Sequence, residues 1–276
     1  MEKASKPMLT VALPCLNEAE TIGECIDAAQ EGIHLCGIDG EILIADNGST
    51  DGSQQIAAER GARSIHVKPR GYGSALLSSF SAAKGDFVLI ADADGSYDLR
   101  DIPKFASALQ EGADFVIGTR FPRFGGNVLP GAMPFLHYWL GTPILSFLAR
   151  LFFGSRISDI NCGMRAFNAK ALNKMNLRMT GMEIASEIVI KAALLKMNIK
   201  EVPITLHPAG RTRPPHLRTW RDGWRHLRMM LLFSPRWLFA VPGLFLFTIG
   251  FVGLVPFAWG HVNIGEVSFG INTMLL

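Results

Sequence analysis

The chain has 276 residues, of which 49% are hydrophobic and 18% charged, and a formal net charge of +3. This length suits one large α/β domain or two small ones, and much of the apolar excess over an ordinary soluble domain lies after residue 230. The four cysteines form no CxxC pair and have no zinc-ligand spacing, so we expect reduced thiols and no zinc site. Residues 1–7 are polar and do not resemble a secretory signal.

Strands and helices alternate through the N-terminal half. A strand is predicted over residues 8–13, ending at Pro14, and Asn17 is a plausible N-cap of a helix that continues to about residue 31. Further strands are predicted at residues 40–45, 65–67 and 87–90, with helices ending near residue 60 and spanning 75–83. This alternation predicts an α/β fold with a mostly parallel central sheet and helices on both faces.

The strand at residues 87–90 leads into two carboxylates. It is continuously apolar, as expected for a strand that is covered on both faces, and Asp92 and Asp94 follow it. Their i, i+2 spacing in an extended chain places both side chains on one side, where they repel each other unless a cation intervenes. Mg²⁺ or Mn²⁺ with open positions for phosphate oxygens fits this pattern, and a solvated Asp-Gly turn is the alternative.

Acidic residues also follow the first two strands. Ligands of parallel sheets bind at the carboxyl ends of the strands, so we expect Glu18, Asp46, Asp92 and Asp94 to gather along one edge. A dinucleotide-binding Rossmann domain is a poor alternative. Its GxGxxG motif should follow the first strand, but the only similar sequence, at residues 71–73, follows the third strand and lacks the last glycine.

Several motifs, in this order and spacing, resemble family 2 glycosyltransferases with the GT-A fold. The later motifs narrow the resemblance to the polyprenyl-phosphate glycosyltransferases, the dolichyl-phosphate mannose or glucose synthase branch. The resemblance covers roughly residues 8–240. The motifs are LPCLNE (13–18), DNGSTDG (46–52), DAD (92–94), GTR (118–120), DINCGMRAF (159–167), EVPI (201–204) and GRTR (210–213).

The resemblance implies roles for the acidic residues at the strand ends. Glu18 and Asp46 would contact the nucleoside, and Asp92 and Asp94 would hold Mg²⁺ or Mn²⁺ on the diphosphate of the donor. Such a cation stabilises the negative charge that grows on the leaving diphosphate. The nucleotide-sugar site would comprise Pro14, Asn17, Glu18, Asp46, Asp92, Arg211 and Arg213.

Two positions depart from the family pattern. Asn47 stands where the usual Asp-Asp-Gly-Ser motif has its second acid. Ser96, a weaker ligand, stands at a position after the acidic pair that often helps coordination.

The resemblance also suggests three catalytic residues. Arg120 and Arg165 are candidate phosphate clamps, because a guanidinium matches phosphate oxygens bidentately, and ion-paired or surface arginines are the alternative. Asp159 is the candidate catalytic carboxylate. A lipid phosphate with a second pKa of about 6 is already an anion at neutral pH and hardly needs a general base. Asp159 could therefore orient an arginine or balance charge instead.

Residues 121–157 are expected on the acceptor side. The segment 135–153 is mostly apolar, and Trp139, Leu145, Leu148 and Phe152 share one face at helical spacing. Core packing and an interfacial helix that dips into lipid headgroups are both compatible with this pattern.

A basic segment precedes a long apolar one. Residues 207–236 contain seven arginines and a single acid, a pattern compatible with nucleic acid, but the uncharged segment 237–260 follows directly. That segment is long enough to span a hydrocarbon core of about 30 Å and has tryptophans at both ends. We therefore expect lipid headgroups, and no nucleic acid, as the partner of Arg218, Trp220, Arg221, Trp224 and Arg225.

The predicted organisation is a GT-A catalytic domain (1–206), a basic juxtamembrane segment (207–236), a transmembrane helix (237–260) and the start of a truncated apolar segment (261–276). Arg211 and Arg213 would cover the donor diphosphate or the acceptor phosphate. The positive-inside rule places the catalytic domain in the cytoplasm, at the plasma membrane of a prokaryote. The predicted activity is metal-dependent, inverting transfer of a hexose from GDP-mannose or UDP-glucose to a polyprenyl or dolichyl phosphate. A processive polysaccharide synthase and an inactive membrane scaffold are the alternatives.

Overall fold

The computed structural model of the chain describes residues 7–212, 219–258, 262–264 and 267–269. It forms two compact units, residues 1–230 and 231–276. Two residues of the predicted site, Arg213 and Arg218, lie outside the described residues, as does most of the segment after residue 258.

A seven-stranded sheet forms the centre of the described part of the first unit. Its strands run parallel except for β7, which is antiparallel to both of its neighbours. The predicted mostly parallel α/β sheet is confirmed. In spatial order the strands are β3 (Arg63–His66), β2 (Gly40–Asp46), β1 (Leu9–Cys15), β4 (Phe87–Ile90), β7 (Arg165–Asn168), β5 (Phe115–Thr119) and β8 (Ile199–Pro203).

Helices connect the strands, and a separate two-stranded pair joins β6 (Asn127–Val128) to β9 (Thr205–Leu206). Short 3₁₀ turns occur at Leu99–Asp101 and Pro122–Phe124, and a π-helical turn occurs at His137–Gly141. The helices of the first unit are α1 (Ile22–Cys36), α2 (Ser53–Glu59), α3 (Tyr72–Ala82), α4 (Ile102–Gln110), α5 (Thr142–Phe153), α6 (Ala169–Met175) and α7 (Ile184–Leu194), and α8 (Thr219–Leu232) continues two residues beyond the unit boundary.

The core of the first unit consists of apolar strand residues covered by helices. Strand β4 is buried from Val88 to Ile90, and β5 is buried throughout, as expected for strands with helices on both faces. Phe115 of β5 stacks on Phe167 of β7 with ring centroids 5.0 Å apart, and both rings are fully buried. This packing fixes the central strands whose ends carry the polar loops.

The first strand and its loop differ from the prediction. Strand β1 continues through Pro14 to Cys15, because its pairing with β4 ends at Ala12 and a proline there interrupts no ladder on that side. Helix α1 begins at Ile22 with Thr21 as its N-cap residue. The prediction that Asn17 is the N-cap is wrong, since Asn17 has a positive φ of 58° and lies in the preceding loop.

The antiparallel strand β7 was not predicted. It lies between β4 and β5, and its first residue, Arg165, pairs with Ile90 on one side and Ile117 on the other. Strands β4 and β5 run opposite to β7, so β7 begins at the edge of the sheet where they end. The loop of residues 159–164, which precedes β7, therefore reaches the same edge as the polar residues that follow β4.

The second unit contains a π-helical turn at Arg236–Ala240, helix α9 (Val241–Ala258) and a short antiparallel pair, β10 (Val262–Ile264) with β11 (Val267–Phe269). Among the described residues, one helical stretch, Arg236–Val255, is long and apolar enough to cross a membrane by length and composition, with a mean hydropathy of 2.3.

Candidate active site

Four acidic side chains meet at the carboxyl ends of the central parallel strands. Asp46 is the last residue of β2, Glu18 follows β1, and Asp92 and Asp94 follow β4. Strands β2, β1 and β4 are neighbours in the sheet, so the four residues lie along one edge, as the sequence predicts. Glu18, Asp46 and Asp94 are each 8% exposed or less. This edge therefore concentrates negative charge in a largely buried position.

The loops after β1 and β2 are joined by hydrogen bonds. The Asn17 side-chain oxygen accepts a hydrogen bond from the Thr50 amide at 2.8 Å, and the Asn17 amide donates to Ser49 Oγ at 2.8 Å. The Glu18 amide donates to Ser53 Oγ at 2.9 Å. The residues of the first two motifs thus hold each other in place, and Glu18 is fixed beside the end of β2.

Asp46 organises its own loop. Its carboxylate accepts hydrogen bonds from the backbone amides of Gly48 and Ser49, both at 3.1 Å. Burial pushes the pKa of Asp46 upward, but the hydrogen bonds from Ser49 and Gly48 outweigh burial and hold the pKa below its usual value. Asp46 is therefore an anion at neutral pH, and a nucleoside would share its oxygens with the loop.

Asn47 holds the segment that follows β3. Its side-chain nitrogen donates to the carbonyl oxygens of Val67 and Pro69, at 3.1 and 2.9 Å, and its oxygen accepts from the Gly71 amide at 2.8 Å. An ionised aspartate has no donor for the two carbonyls. The departure from the family pattern at this position therefore has a structural reason, which the sequence alone did not reveal.

Asp92 is held from one side by a tyrosine that the sequence analysis did not select. The Tyr72 hydroxyl donates to Asp92 Oδ1 at 3.1 Å. Burial, followed by the proximity of Asp94, raises the pKa of Asp92 to about 6. A Cβ atom at Gly163 would lie 2.6 Å from Asp92 Oδ2, so only glycine leaves room for this carboxylate. The Gly-Tyr-Gly sequence after the third strand was the available signal for Tyr72.

Arg211 reaches the acidic residues from the far end of the catalytic unit. Its guanidinium contacts Glu18 Oε1 at 2.9 Å through Nη1 and Asp94 Oδ2 at 3.1 Å through Nη2. The other Asp94 oxygen accepts a hydrogen bond from the Ser96 amide at 3.0 Å. The predicted nucleotide-sugar residue Arg211 therefore lies at the predicted site, although 193 residues separate it from Glu18.

Asp159 and Arg120 form a buried bidentate pair. Arg120 Nε lies 2.6 Å from Asp159 Oδ2, and Nη2 lies 2.8 Å from Oδ1. Asp159 is 0% exposed and Arg120 is 7% exposed. Burial lowers the pKa of Arg120, but Asp159 outweighs burial and brings the pKa well above its usual value. Of the alternatives for Asp159, this geometry matches orientation of an arginine. A catalytic contribution of either residue stays a prediction.

Arg165 directs its donors at the backbone. It is 2% exposed, and it donates to the carbonyl oxygens of Cys162, Ala185 and Ile160, each at 2.8 Å. These contacts tie the 160–163 turn to the start of α7, and burial lowers the pKa of the guanidinium. The structure thus gives Arg165 a positioning role in place of an open phosphate clamp, and a phosphate contact stays a prediction.

Helix α8 presents aromatic and basic side chains on one face. Trp220 and Trp224 are 80% and 61% exposed, and Arg221 and Arg225 are exposed beside them. The opposite face of the helix is buried, and His226 Nδ1 on that face lies 2.7 Å from Ser186 Oγ. The four described residues of the predicted headgroup set are therefore at the surface, where a lipid could reach them.

The apolar segment 135–153, which contains α5, exposes the large apolar residues that a core helix would bury. Its buried positions are the small or polar residues Thr142, Ser146 and Ala149. Large apolar side chains point outward, among them Phe135 at 78% and Trp139 at 65% exposed. This favours the interfacial interpretation over core packing. Of the four residues predicted to share one face, Trp139 is exposed, and Leu145, Leu148 and Phe152 are half-buried. The exposed large apolar residues of the segment are Phe135, Leu136, Trp139, Leu140, Ile144, Phe147 and Leu151.

The sequence is similar to those of known glycosyltransferases. Residues 10–175 match the model of the family described as glycosyl transferase family 2. The low-salt glycan biosynthesis hexosyltransferase Agl6 of Haloferax volcanii is 41% identical over 268 residues, which is 97% of this chain and 63% of that protein. The chain thus spans less than two thirds of the length of Agl6. A dolichyl-phosphate hexose transferase of the same organism is 30% identical over 210 residues, 74% of this chain and 86% of that protein.

Solved structures share the fold. Glucosyl-3-phosphoglycerate synthase of Mycobacterium tuberculosis in complex with Mn²⁺, UDP and glucosyl-3-phosphoglycerate superposes with a TM-score of 0.63 at 23% identity, covering 83% of this chain and 80% of that one. A complex of the same enzyme with Mg²⁺ and UDP gives a TM-score of 0.63 at 22% identity over the same shares. The predicted GT-A fold is confirmed.

Proposed function

This chain belongs to glycosyl transferase family 2, and we propose that it is a membrane-anchored, inverting hexosyltransferase that uses a nucleotide-diphosphate sugar and a polyprenyl phosphate. The observation that carries the proposal is the group of carboxylates at the ends of β1, β2 and β4, with Arg211 bridging two of them. A hexose and a lipid phosphate are suggested by the printed names of the two Haloferax relatives, one a hexosyltransferase and one a dolichyl-phosphate hexose transferase.

The donor would bind at the joined loops after β1 and β2. The Asp46 carboxylate is held by the amides of its loop, and Glu18 is held by its own amide on Ser53 and by its carboxylate on Arg211; both carboxylates would accept hydrogen bonds from the base or ribose. Fixed acceptors of this kind lose little conformational freedom when the ligand binds. The GDP-mannose and UDP-glucose types of donor are equally compatible with these contacts.

The residues at the end of β4 fit a divalent cation. Asp94 Oδ2 already faces a cationic group, the Arg211 guanidinium, and Asp92 is adjacent in the same loop. Within the described ranges, no group of three or more His, Cys, Asp or Glu side chains is placed to hold a metal by itself. Mg²⁺ and Mn²⁺ typically keep positions for substrate phosphates, so two carboxylates suffice. Bound there, Mg²⁺ or Mn²⁺ would neutralise charge on the departing nucleoside diphosphate.

The transfer itself would be a single displacement. An oxygen of the acceptor phosphate forms a bond to the anomeric carbon of the sugar as the bond from that carbon to the diphosphate oxygen breaks, which inverts the configuration. Because the acceptor is already an anion, no side chain has to remove a proton. Arg120, kept charged and oriented by Asp159, would attract the acceptor phosphate to this position.

A lipid acceptor explains the exposed apolar surfaces. The large apolar side chains of α5 and the tryptophans of α8 face outward, and Arg236–Val255 has the length and composition of a membrane-spanning helix. Arginines near such a helix favour the cytoplasmic leaflet, so the catalytic unit would face the cytoplasm at a prokaryotic plasma membrane.

The test is transfer by the full chain reconstituted in lipid vesicles. Radiolabelled GDP-mannose and UDP-glucose are each supplied with polyprenyl phosphate and Mn²⁺, and the expected product is a hexosyl phosphoryl lipid, identified by mass spectrometry. Asp94→Asn should reduce turnover at least 100-fold or about 3 kcal/mol, since it removes a charge from the cation site.

The matched control is Asp27→Asn, which removes one carboxylate from an exposed pair with Arg60, and neither of these residues belongs to the predicted site. It should retain turnover. Equal activity of Asp94→Asn and the wild type would refute the cation site. Absence of product with every donor would refute the proposed acceptor and donor together.

A further inference from the structure

Arg211 occupies a distinctive position among the basic residues of the chain. It bridges Glu18 and Asp94, at 2.9 and 3.1 Å, and its side chain is only 13% exposed. These two carboxylates come from different strand ends, and both are predicted to bind the donor and its metal. The guanidinium therefore lies between the nucleoside side and the metal side of the proposed site.

The segment that carries Arg211 is fastened to the site by its backbone. The His207 and Gly210 amides donate to the carbonyl oxygens of Ser96 and Asp94, both at 2.9 Å. At the other end, the Thr212 amide and hydroxyl both donate to Glu20 at 2.8 Å. These bonds do not involve the guanidinium, so Arg211 can change partners without release of the whole segment.

A divalent cation and Arg211 would compete for the same oxygen. Asp94 Oδ2, which contacts Arg211, is the oxygen that best suits a metal, because the second oxygen of this carboxylate holds the Ser96 amide. A guanidinium also binds diphosphate oxygens well, through the same pair of parallel donors that match a carboxylate. The diphosphate of the donor would therefore offer Arg211 an alternative partner in the same place.

We propose that Arg211 is a resident counter-ion that moves from Asp94 to the donor diphosphate when the metal binds. This inference rests on the proposed function. The exchange would keep Asp94 Oδ2 paired with a cation throughout, with Arg211 before the metal binds and with the metal afterwards. It also couples the two ligands: the metal alone must displace Arg211, whereas the diphosphate draws Arg211 away and makes the metal bind more tightly. The coupling is reciprocal, as linkage requires.

The test measures Mn²⁺ binding to the full chain in detergent, by electron paramagnetic resonance of free Mn²⁺, with and without inorganic pyrophosphate. Arg211→Gln should bind Mn²⁺ alone about fivefold or more tightly than the wild type, and pyrophosphate should improve its Mn²⁺ affinity less. Arg211→Lys keeps the charge but cannot bridge two carboxylates in this way. Its Mn²⁺ affinity should therefore lie between those of the wild type and Arg211→Gln. Arg100→Gln is the matched control, since Arg100 pairs with Glu31 on the surface.

The outcomes separate this inference from the function on which it rests. If the wild type binds Mn²⁺ in a pyrophosphate-dependent manner and Arg211→Gln binds Mn²⁺ equally or more weakly, the counter-ion role is refuted and the metal site stands. If the wild type binds no Mn²⁺ even with pyrophosphate, both are refuted. Thermal unfolding checks that each variant is folded, and Arg211→Lys decides the matter should Arg211→Gln not fold.

Discussion

The role of a single residue in this site depends on which atoms it can donate and accept. Asn47 shows this most directly. Its amide satisfies two carbonyls and one N–H of the segment after β3, a combination that neither aspartate nor alanine can supply. The residue stands in a motif that is predicted to bind the donor, yet the contacts of its side chain are internal.

Asn47→Asp should therefore destabilise the catalytic unit. The change removes both donors and places a carboxylate against two carbonyl oxygens, which should lower the free energy of unfolding by about 3 kcal/mol. Urea denaturation of the purified chain measures this. Asn127→Asp introduces the same charge at an exposed position and should be nearly neutral. Equal stability of the two variants would show that the Asn47 contacts contribute little.

The Asp159–Arg120 pair leads to a second expectation. Asp159→Asn leaves a buried arginine without its counter-ion, which should cost about 3–5 kcal/mol. Replacing both residues, as Arg120→Met with Asp159→Leu, should recover most of that stability but not the transfer activity, because the charge that is proposed to attract the acceptor phosphate is gone. Denaturant unfolding and turnover, measured on the same preparations, separate the two effects. A stable, fully active Asp159→Asn variant would remove both the ion pair and the catalytic role from consideration.

Residue identities were predictable from the motifs, but residue contacts were not. Asparagine is a residue type that N-caps favour, yet the side-chain oxygen of Asn17 accepts a hydrogen bond from Thr50 in the loop after β2. That loop comes within reach of Asn17 only in the folded sheet. Arg165 was expected at a phosphate, yet the antiparallel strand that carries it places three carbonyls around its guanidinium. Thr50 lies 33 residues from Asn17, and Ala185 lies 20 residues from Arg165; Cys162 and Ile160 are near Arg165 in sequence, but only the turn before β7 directs their carbonyls at its guanidinium.

At the scale of elements, α5 is the clearest departure from an ordinary globular helix. Its buried residues are small or polar, whereas the large apolar residues Ile144, Phe147 and Leu151 are exposed. Periodicity found the helix but could not decide which face is buried, because nearly all positions are apolar. Exposed apolar patches of this kind mark interaction surfaces. The exposed tryptophans of α8 and the apolar stretch Arg236–Val255 favour a bilayer as the partner of this surface.

If the apolar segment 135–153, which contains α5, rests in the bilayer interface, Trp139 in the turn before α5 should be quenched by lipid. With the full chain in vesicles of brominated phospholipid, Trp139→Phe should lower the fraction of tryptophan fluorescence that is quenched, since it removes a lipid-exposed reporter and keeps an apolar side chain. The fraction should rise in this variant if Trp139 faces water. The change in the quenched fraction has opposite signs for the two positions of Trp139, so the measurement distinguishes them even though the chain has five tryptophans.

The whole molecule was predictable where its pattern is repetitive. Apolar runs followed by polar loops gave the parallel strands β1 to β4, and the uncharged segment after residue 236 gave a helix in the second unit. The antiparallel strand β7 was missed, because a strand of only four residues carries no sequence signal of its direction relative to its neighbours. The acids at the strand ends were found since sheet topology alone brings them together.

The second unit and the surface of the first suggest two separate membrane attachments. The chain without residues 237–276 keeps the exposed tryptophans of α8 and its exposed arginines Arg221, Arg225 and Arg228. Each arginine contributes about 1 kcal/mol to the free energy of binding at an anionic surface. It should bind anionic vesicles in dilute buffer and dissociate at about 1 M salt, where the Debye length falls to about 3 Å.

The full chain should stay with the vesicles at both salt concentrations, because a membrane-spanning helix is held by apolar burial, which salt does not screen. Sedimentation followed by immunoblotting measures both proteins side by side. A truncated chain that sediments equally at high salt would show that Arg236–Val255 is not the main anchor. A full chain that is washed off by salt would show that this helix does not span the bilayer at all. Neutral vesicles complete the argument: they should retain the full chain and leave the truncated one largely in solution.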